Sequence, residues 1–87
     1  MQQLISTIQT LIVDIPHGIH FDTHFIIQLL IKNHSDIYNQ YASPTLPKHG
    51  DIGQIISSYI TLVTRIGDSL SFNIHGNYSK CALWQKI

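Results

Sequence analysis

A polar stripe between residues 51 and 65 carries the side chains best suited to bind another molecule. Isoleucines recur through this segment at helical intervals, so the pattern predicts an amphipathic helix over residues 51–65. Amide, hydroxyl and guanidinium groups occupy the opposite face of that helix. The stripe consists of Gln54, Ser57, Ser58, Thr61 and Arg65. The residues predicted to be buried are Ile52, Ile56, Tyr59, Ile60 and Val63.

The chemistry of the stripe points to nucleic acid. A helix face that is only solvated is usually rich in Glu and Lys, which are better helix formers than Ser and Thr. Amides, hydroxyls and Arg are the groups that hydrogen-bond to base edges and phosphates. Lys48 and His49 stand directly before the helix, whose N-terminal N–H groups attract phosphate. We therefore predict nucleic-acid contacts for this surface, with a neutral solvated face or a protein contact as the alternatives.

A β-hairpin is predicted near the end of the sequence. Apolar and polar residues alternate on both sides of a Gly-Asn turn, which predicts two strands over residues 70–86. Asn77 and Lys80 lie near the tip, where they could touch the backbone or minor groove of a nucleic acid. Alternatively, the hairpin only covers the core, and Lys80 is an ordinary surface charge. The side chains expected to pin the hairpin to the helices are Leu70, Phe72 and Trp84.

The remaining segments predict three more helices and a short strand. An apolar stripe predicts a first helix over residues 2–14, which Pro16 ends. The stretch HGIHF is a candidate strand stub, and Asp22 is placed to cap a second helix. Ser35 can cap a short third helix before the loop SPTLPKHG. The prediction is one α+β domain over residues 1–87, mostly helical, with three to four helices and a C-terminal β-hairpin.

This order of elements resembles that of winged helix-turn-helix domains over nearly the whole chain. The resemblance implies that residues 51–65 are a recognition helix and that the hairpin is a wing. It implies a small protein that binds double-stranded DNA, either a transcriptional regulator or a mobile-element accessory. The alternative is a winged-helix protein–protein interaction module without DNA binding. For that module we expect an exposed apolar patch that includes Tyr38 or Tyr41.

The charges are unevenly distributed although the formal net charge is zero. Residues 48–87 carry four Lys or Arg against two Asp, a net charge of +2, and residues 1–47 carry one Lys against three Asp, a net charge of −2. The second part of the chain is therefore the better place for an anionic partner. A single copy should bind DNA weakly, and a homodimer would double the phosphate contacts.

Neither a metal site nor catalysis is predicted. His17, His20 and His24 are spaced as ligands on one helix would be. A glycine and the capping Asp22 fall between them, so they do not share a helix and are expected at the surface. The sequence has no paired carboxylates, Gly-rich phosphate loop or serine elbow, so we predict no enzyme and no cofactor. The single cysteine, Cys81, is predicted to be a buried, unreactive core residue.

The sequence also predicts a location in the cytoplasm. The apolar N-terminus is interrupted by polar residues and lacks the basic region and cleavage site of a signal peptide. No apolar run approaches the roughly 20 residues that span a bilayer. We therefore expect a cytoplasmic protein without a membrane partner.

Overall fold

The computed structural model describes residues 2–42, 49–72 and 76–87, which form four helices and one three-stranded antiparallel sheet. This architecture confirms the predicted α+β class with a C-terminal hairpin. No helix within these ranges is long and apolar enough to cross a membrane. The helices are α1 (Gln2–Val13), α2 (Thr23–Asn33), α3 (Ser35–Ala42) and α4 (His49–Ser57). The strands are β1 (His20–Asp22), β2 (Val63–Phe72) and β3 (Tyr78–Lys86).

α1 packs one apolar stripe into the core, and its C-terminal end is closed by a lysine from β3. The Nζ of Lys86 donates hydrogen bonds to the carbonyl oxygens of Val13 and Ile15, at 3.3 and 2.9 Å. A cation at this end of a helix satisfies carbonyls without a helical partner and interacts favourably with the helix dipole. Lys86 therefore ties α1 to the sheet. The buried residues of α1 are Leu4, Ile8 and Ile12.

α2 begins at the cap that the sequence predicted. The backbone of Asp22 is extended, and its Oδ1 accepts a hydrogen bond of 2.8 Å from the backbone N–H of Phe25. This bond satisfies one of the N–H groups that the first helical turn leaves unpaired. The helix then packs against α1, α3 and α4. Its buried apolar residues are Ile26, Ile27 and Leu30.

α4 is shorter than predicted: it ends at Ser57 and does not continue to residue 65. The hydroxyls of Ser57 and Ser58 donate to the carbonyl oxygens of Gln54 and Ile55, at 2.7 and 2.6 Å. Such side-chain bonds compete with continuation of a helix. The residues that follow are rich in β-branched side chains, which fit a strand better than a helix. The chain therefore leaves the helix and enters β2.

The change from helix to strand alters which residues are buried. Ile52 and Ile56 lie in the core as predicted, with 1% and 0% of their surface exposed. Val63 is also buried, although it reaches the core from the first position of β2. The prediction that Ile60 is buried is wrong, because this residue lies in the connection between α4 and β2 and is 77% exposed.

β3 is the central strand of the sheet and pairs with β1 on one side and β2 on the other. Trp84 lies opposite Phe21 of β1 and Arg65 of β2, and it is buried as predicted. Leu70 and Phe72, which were expected to pin the hairpin to the helices, are instead 66% and 49% exposed. The base of the hairpin, where Trp84 lies, is therefore the part that packs into the core.

Candidate nucleic-acid interface

A cavity of about 390 Å³ lies between α4, the start of α2 and the hairpin β2–β3. α4 contributes Gln54 and Ser57 to its lining, β2 contributes Arg65, and β3 contributes Lys80. Lys80 and Trp84 occupy alternate positions of β3, so their side chains share one face of the sheet. We call this site the α4–hairpin groove. It places an amide and a hydroxyl from a helix beside two cations from the sheet.

Nine residues were predicted to contact nucleic acid, and the structure describes the side chains of seven of them. Four of these seven line the groove. Ser58 and Thr61 are exposed in the connection after α4 and do not line the groove, because the helix ends before them. Asn77 is exposed in the hairpin turn. His49 begins α4, but its side chain is outside the described part of the chain, as is the whole of Lys48.

Arg65 forms an exposed ion pair at the rim of the groove. Its Nη2 donates to Asp68 Oδ1 at 2.7 Å, and the two side chains are 59% and 53% exposed. An ion pair this exposed is worth about 0–1 kcal/mol. The guanidinium can therefore exchange Asp68 for a phosphate at low cost. The exposed ammonium group of Lys80 adds a second positive charge to the same groove.

Hydrogen bonds join the lining of the groove to the start of α2. The indole Nε1–H of Trp84 donates to Thr23 Oγ1 at 3.1 Å. Thr23 Oγ1 in turn donates to the backbone carbonyl of Ala82 at 3.5 Å. Trp84 and Thr23 are each 4% exposed, so these bonds are shielded from solvent. The relative position of α2 and the central strand is therefore fixed where the groove is formed.

A second polar group forms part of the groove wall around the imidazole of His24, since His24, Ser79 and Cys81 also line the cavity. The Nδ1 of His24 is 2.6 Å from Ser71 Oγ, and its Nε2 is 3.2 Å from Ser79 Oγ. These two serines are cross-strand partners, so their hydroxyls meet the ring together. His24 is 6% exposed, and the expectation of a surface histidine is wrong because the hairpin covers the first turn of α2. The His24 cluster consists of Asp22, His24, Ser69, Ser71, Ser79 and Cys81.

The carboxylate of Asp22 is held in its ionised form by the His24 cluster. Burial raises the pKa of Asp22, but several other interactions lower it, and together they outweigh the effect of burial. These are the hydrogen bonds from the Phe25 N–H and from the hydroxyls of Ser69 and Ser71, together with the charge of His24. The Ser69 hydroxyl lies 2.9 Å from Asp22 Oδ2. As a result, the pKa of Asp22 is below its usual value.

The lowered pKa of Asp22 predicts a loss of stability in acid. Its contribution to the free energy of unfolding is fully present above the unfolded pKa of about 3.9. That contribution disappears as the pH falls through the lower pKa of the folded state. In metal-free buffer, urea unfolding should show this acid-sensitive component in the wild type. Asp22→Asn should lack it while keeping a good N-cap. Parallel pH curves for the two proteins would contradict the assignment.

Cys81 is half-buried, so the prediction of a buried cysteine is wrong. It lies opposite Ser69 in the hairpin register, on the face of the sheet that carries Ser71 and Ser79. A sequence signal for this face exists in the alternation of small polar residues along both strands. It could reveal a shared face of the hairpin, but not that Asp22 and His24 pack against it.

The α4–hairpin groove and the His24 cluster meet at the start of α2, where they share His24, Ser79 and Cys81. No protein-family model matches this chain, and no curated protein matches it. No solved structure matches it either. The function of the groove is therefore inferred from its own geometry and chemistry.

Proposed function

We propose that this protein binds double-stranded DNA through α4 and the hairpin, in the manner of a winged helix-turn-helix domain. The observation that carries the proposal is the convergence of Gln54, Ser57, Arg65 and Lys80 on one groove. The order of the elements also supports the proposal, since α4 directly precedes the hairpin β2–β3. In a cell this activity would suit a transcriptional regulator or a mobile-element accessory.

The dimensions of α4 suit contact with the major groove. An α-helix with its side chains is about 10–12 Å in diameter. The major groove of B-DNA is about 12 Å wide and accepts a helix. Gln54 and Ser57 are exposed on α4 and carry the amide and hydroxyl groups that read base edges. Arg65 and Lys80 would bind the adjacent phosphates and set the orientation of the protein.

The small number of cations predicts weak binding by one copy of the chain. Each phosphate contact contributes to affinity through the release of counterions, and a zero net charge adds no long-range attraction. A homodimer would place two grooves on one duplex and double these contacts. We therefore propose that the DNA-bound form is a homodimer.

A salt titration of duplex binding tests the proposal. The Lys80→Ala variant should bind all duplexes more weakly than the wild type, and the slope of log affinity against log salt should fall by about one. Lys32→Ala is the matched control, because Lys32 is also exposed but lies in the last turn of α2, away from the groove. Gln54→Ala should instead relax the preference among sequences.

Two outcomes of this titration would count against DNA binding. One is that micromolar wild-type protein binds no duplex at low salt. The other is that Lys32→Ala weakens binding as much as Lys80→Ala, which would indicate attraction to charge anywhere on the surface. Circular dichroism of each variant establishes that the fold is retained.

A protein–protein interaction module is the second candidate, and an exposed apolar patch on the hairpin favours it. Leu70, Phe72 and Tyr78 are 66%, 49% and 63% exposed. The rings of Phe72 and Tyr78 stack with their centroids 4.1 Å apart. Tyr38, which was expected in such a patch, is buried, and the side chain of Tyr41 is outside the described residues. If this candidate is right, the titration should detect no duplex binding.

A further inference from the structure

The His24 cluster contains three metal-ligating groups that the proposed DNA surface does not use. A carboxylate oxygen of Asp22, a ring nitrogen of His24 and the Sγ of Cys81 all lie within 4.8 Å of one another. They come from three different elements: the end of β1, the first turn of α2 and the middle of β3. We propose that these three residues bind a divalent transition-metal ion of the Zn²⁺ class, with solvent in the fourth position.

The mixture of donor atoms selects this class of ion. Zn²⁺ is bound in proteins by thiolate, imidazole and carboxylate groups, and Co²⁺ accepts the same set. Mg²⁺ and Ca²⁺ require oxygen ligands throughout. In a tetrahedral site the donor atoms are roughly 3.3–3.8 Å apart, because metal–ligand distances are about 2.0–2.3 Å. The three donor atoms lie up to 4.8 Å apart, so they need to move together by only about 1 Å to bind one ion.

The serines of the cluster are placed to orient the ligands. Both ring nitrogens of His24 lie within hydrogen-bond distance of a hydroxyl, one from Ser71 and the other from Ser79. When a metal binds, one nitrogen exchanges its hydroxyl for the ion, and the other keeps its serine. Ser69 remains on Asp22 Oδ2. Hydrogen bonds of this kind fix the ring orientation and are a regular feature of metal sites.

The charges of the site balance when the ion is divalent. Binding breaks the S–H bond of Cys81, releases its proton to solvent and forms a bond from sulfur to the metal. The thiolate and the Asp22 carboxylate then carry two negative charges, which the ion neutralises, and His24 binds the ion as a neutral imidazole. A neutral site suits this position, since His24 is buried and the other two residues are half-buried.

Titration of the full chain with Co²⁺, after removal of metals by a chelator, tests the proposal directly. One equivalent should produce a thiolate-to-cobalt charge-transfer band in the near ultraviolet and the strong visible absorption of a tetrahedral site. Added Zn²⁺ should then displace Co²⁺, and the charge-transfer band and the visible absorption should both disappear. Cys81→Ser should abolish the charge-transfer band. Asp22→Asn and His24→Gln should each weaken Co²⁺ binding by at least about tenfold.

The variants are chosen so that the fold survives the loss of a ligand. Ser has nearly the shape of Cys, and Asn caps a helix as well as Asp does. His17→Gln is the matched control, because His17 is exposed and belongs to no part of the cluster; it should bind Co²⁺ like the wild type. The proposal is overturned if the wild type gives no charge-transfer band at one equivalent. It is also overturned if Asp22→Asn and His24→Gln retain full affinity, which would mean that the thiol alone attracts the ion.

Discussion

Replacing Trp84 with Ala should lower the free energy of unfolding by about 3–5 kcal/mol. The indole is 4% exposed, lies on the central strand opposite Phe21 and Arg65, and donates its N–H to Thr23. The substitution leaves a cavity at the base of the hairpin and removes the bond that joins β3 to α2. A domain of 87 residues has a total stability on the order of 4–13 kcal/mol, so the loss is a large fraction of it. Urea unfolding followed by circular dichroism measures the change.

Tyr78 provides the control for this effect, because it lies on the same strand and the same face of the sheet as Trp84. It is 63% exposed and stacks on Phe72. Tyr78→Ala should therefore cost only the cross-strand contact, about 0.2–1 kcal/mol. Equal losses for the two aromatic residues would show that the hairpin does not pack into the core at Trp84 as described.

Replacing Ile56 with Ala should lower the free energy of unfolding by about 2–5 kcal/mol. Ile56 is fully buried on α4, where it belongs to the core cluster that joins this helix to α1, α2 and β3. The same unfolding assay measures the loss. Ile60 is the matched control, since it has the same side chain four positions later but is 77% exposed. Ile60→Ala should change the stability by no more than about 0.5 kcal/mol. If the two substitutions cost the same, then α4 continues beyond Ser57, as the periodicity alone predicts.

The start of α2 and the end of α4 differ in how far the sequence alone could predict them. The start of α2 depends on a local bond between Asp22 and the N–H of Phe25, and a capping residue before an apolar stripe is a direct signal for it. The end of α4 depends on pairing between β2 and β3. Ile56, Ile60 and Val63 keep a helical interval across that end, so periodicity could not locate it.

The candidate sites were also predictable to different degrees, because some of their residues share one element and others meet only through long-range packing. Gln54 and Ser57 were expected on one helix face, and they lie there. Arg65 was expected on the same helix but reaches the groove from β2. The bonds of His24 join residues that are 47 and 55 positions apart in the chain. No periodicity within one element relates such residues, so the His24 cluster becomes visible only when the hairpin is packed against α2.

The position of β2 in the sheet has a consequence for how copies of this protein behave towards one another. Within residues 2–42, 49–72 and 76–87, β2 pairs only with β3, so its outer edge offers unpaired backbone groups to any strand that approaches. A register shift between Arg65 and Gly67 interrupts that edge, and Arg65 and Asp68 place opposite charges beside it. Irregularities and charges of this kind discourage edge-to-edge aggregation. The ion pair contributes little to the free energy of unfolding, so we expect its main effect to be on aggregation through the edge of β2.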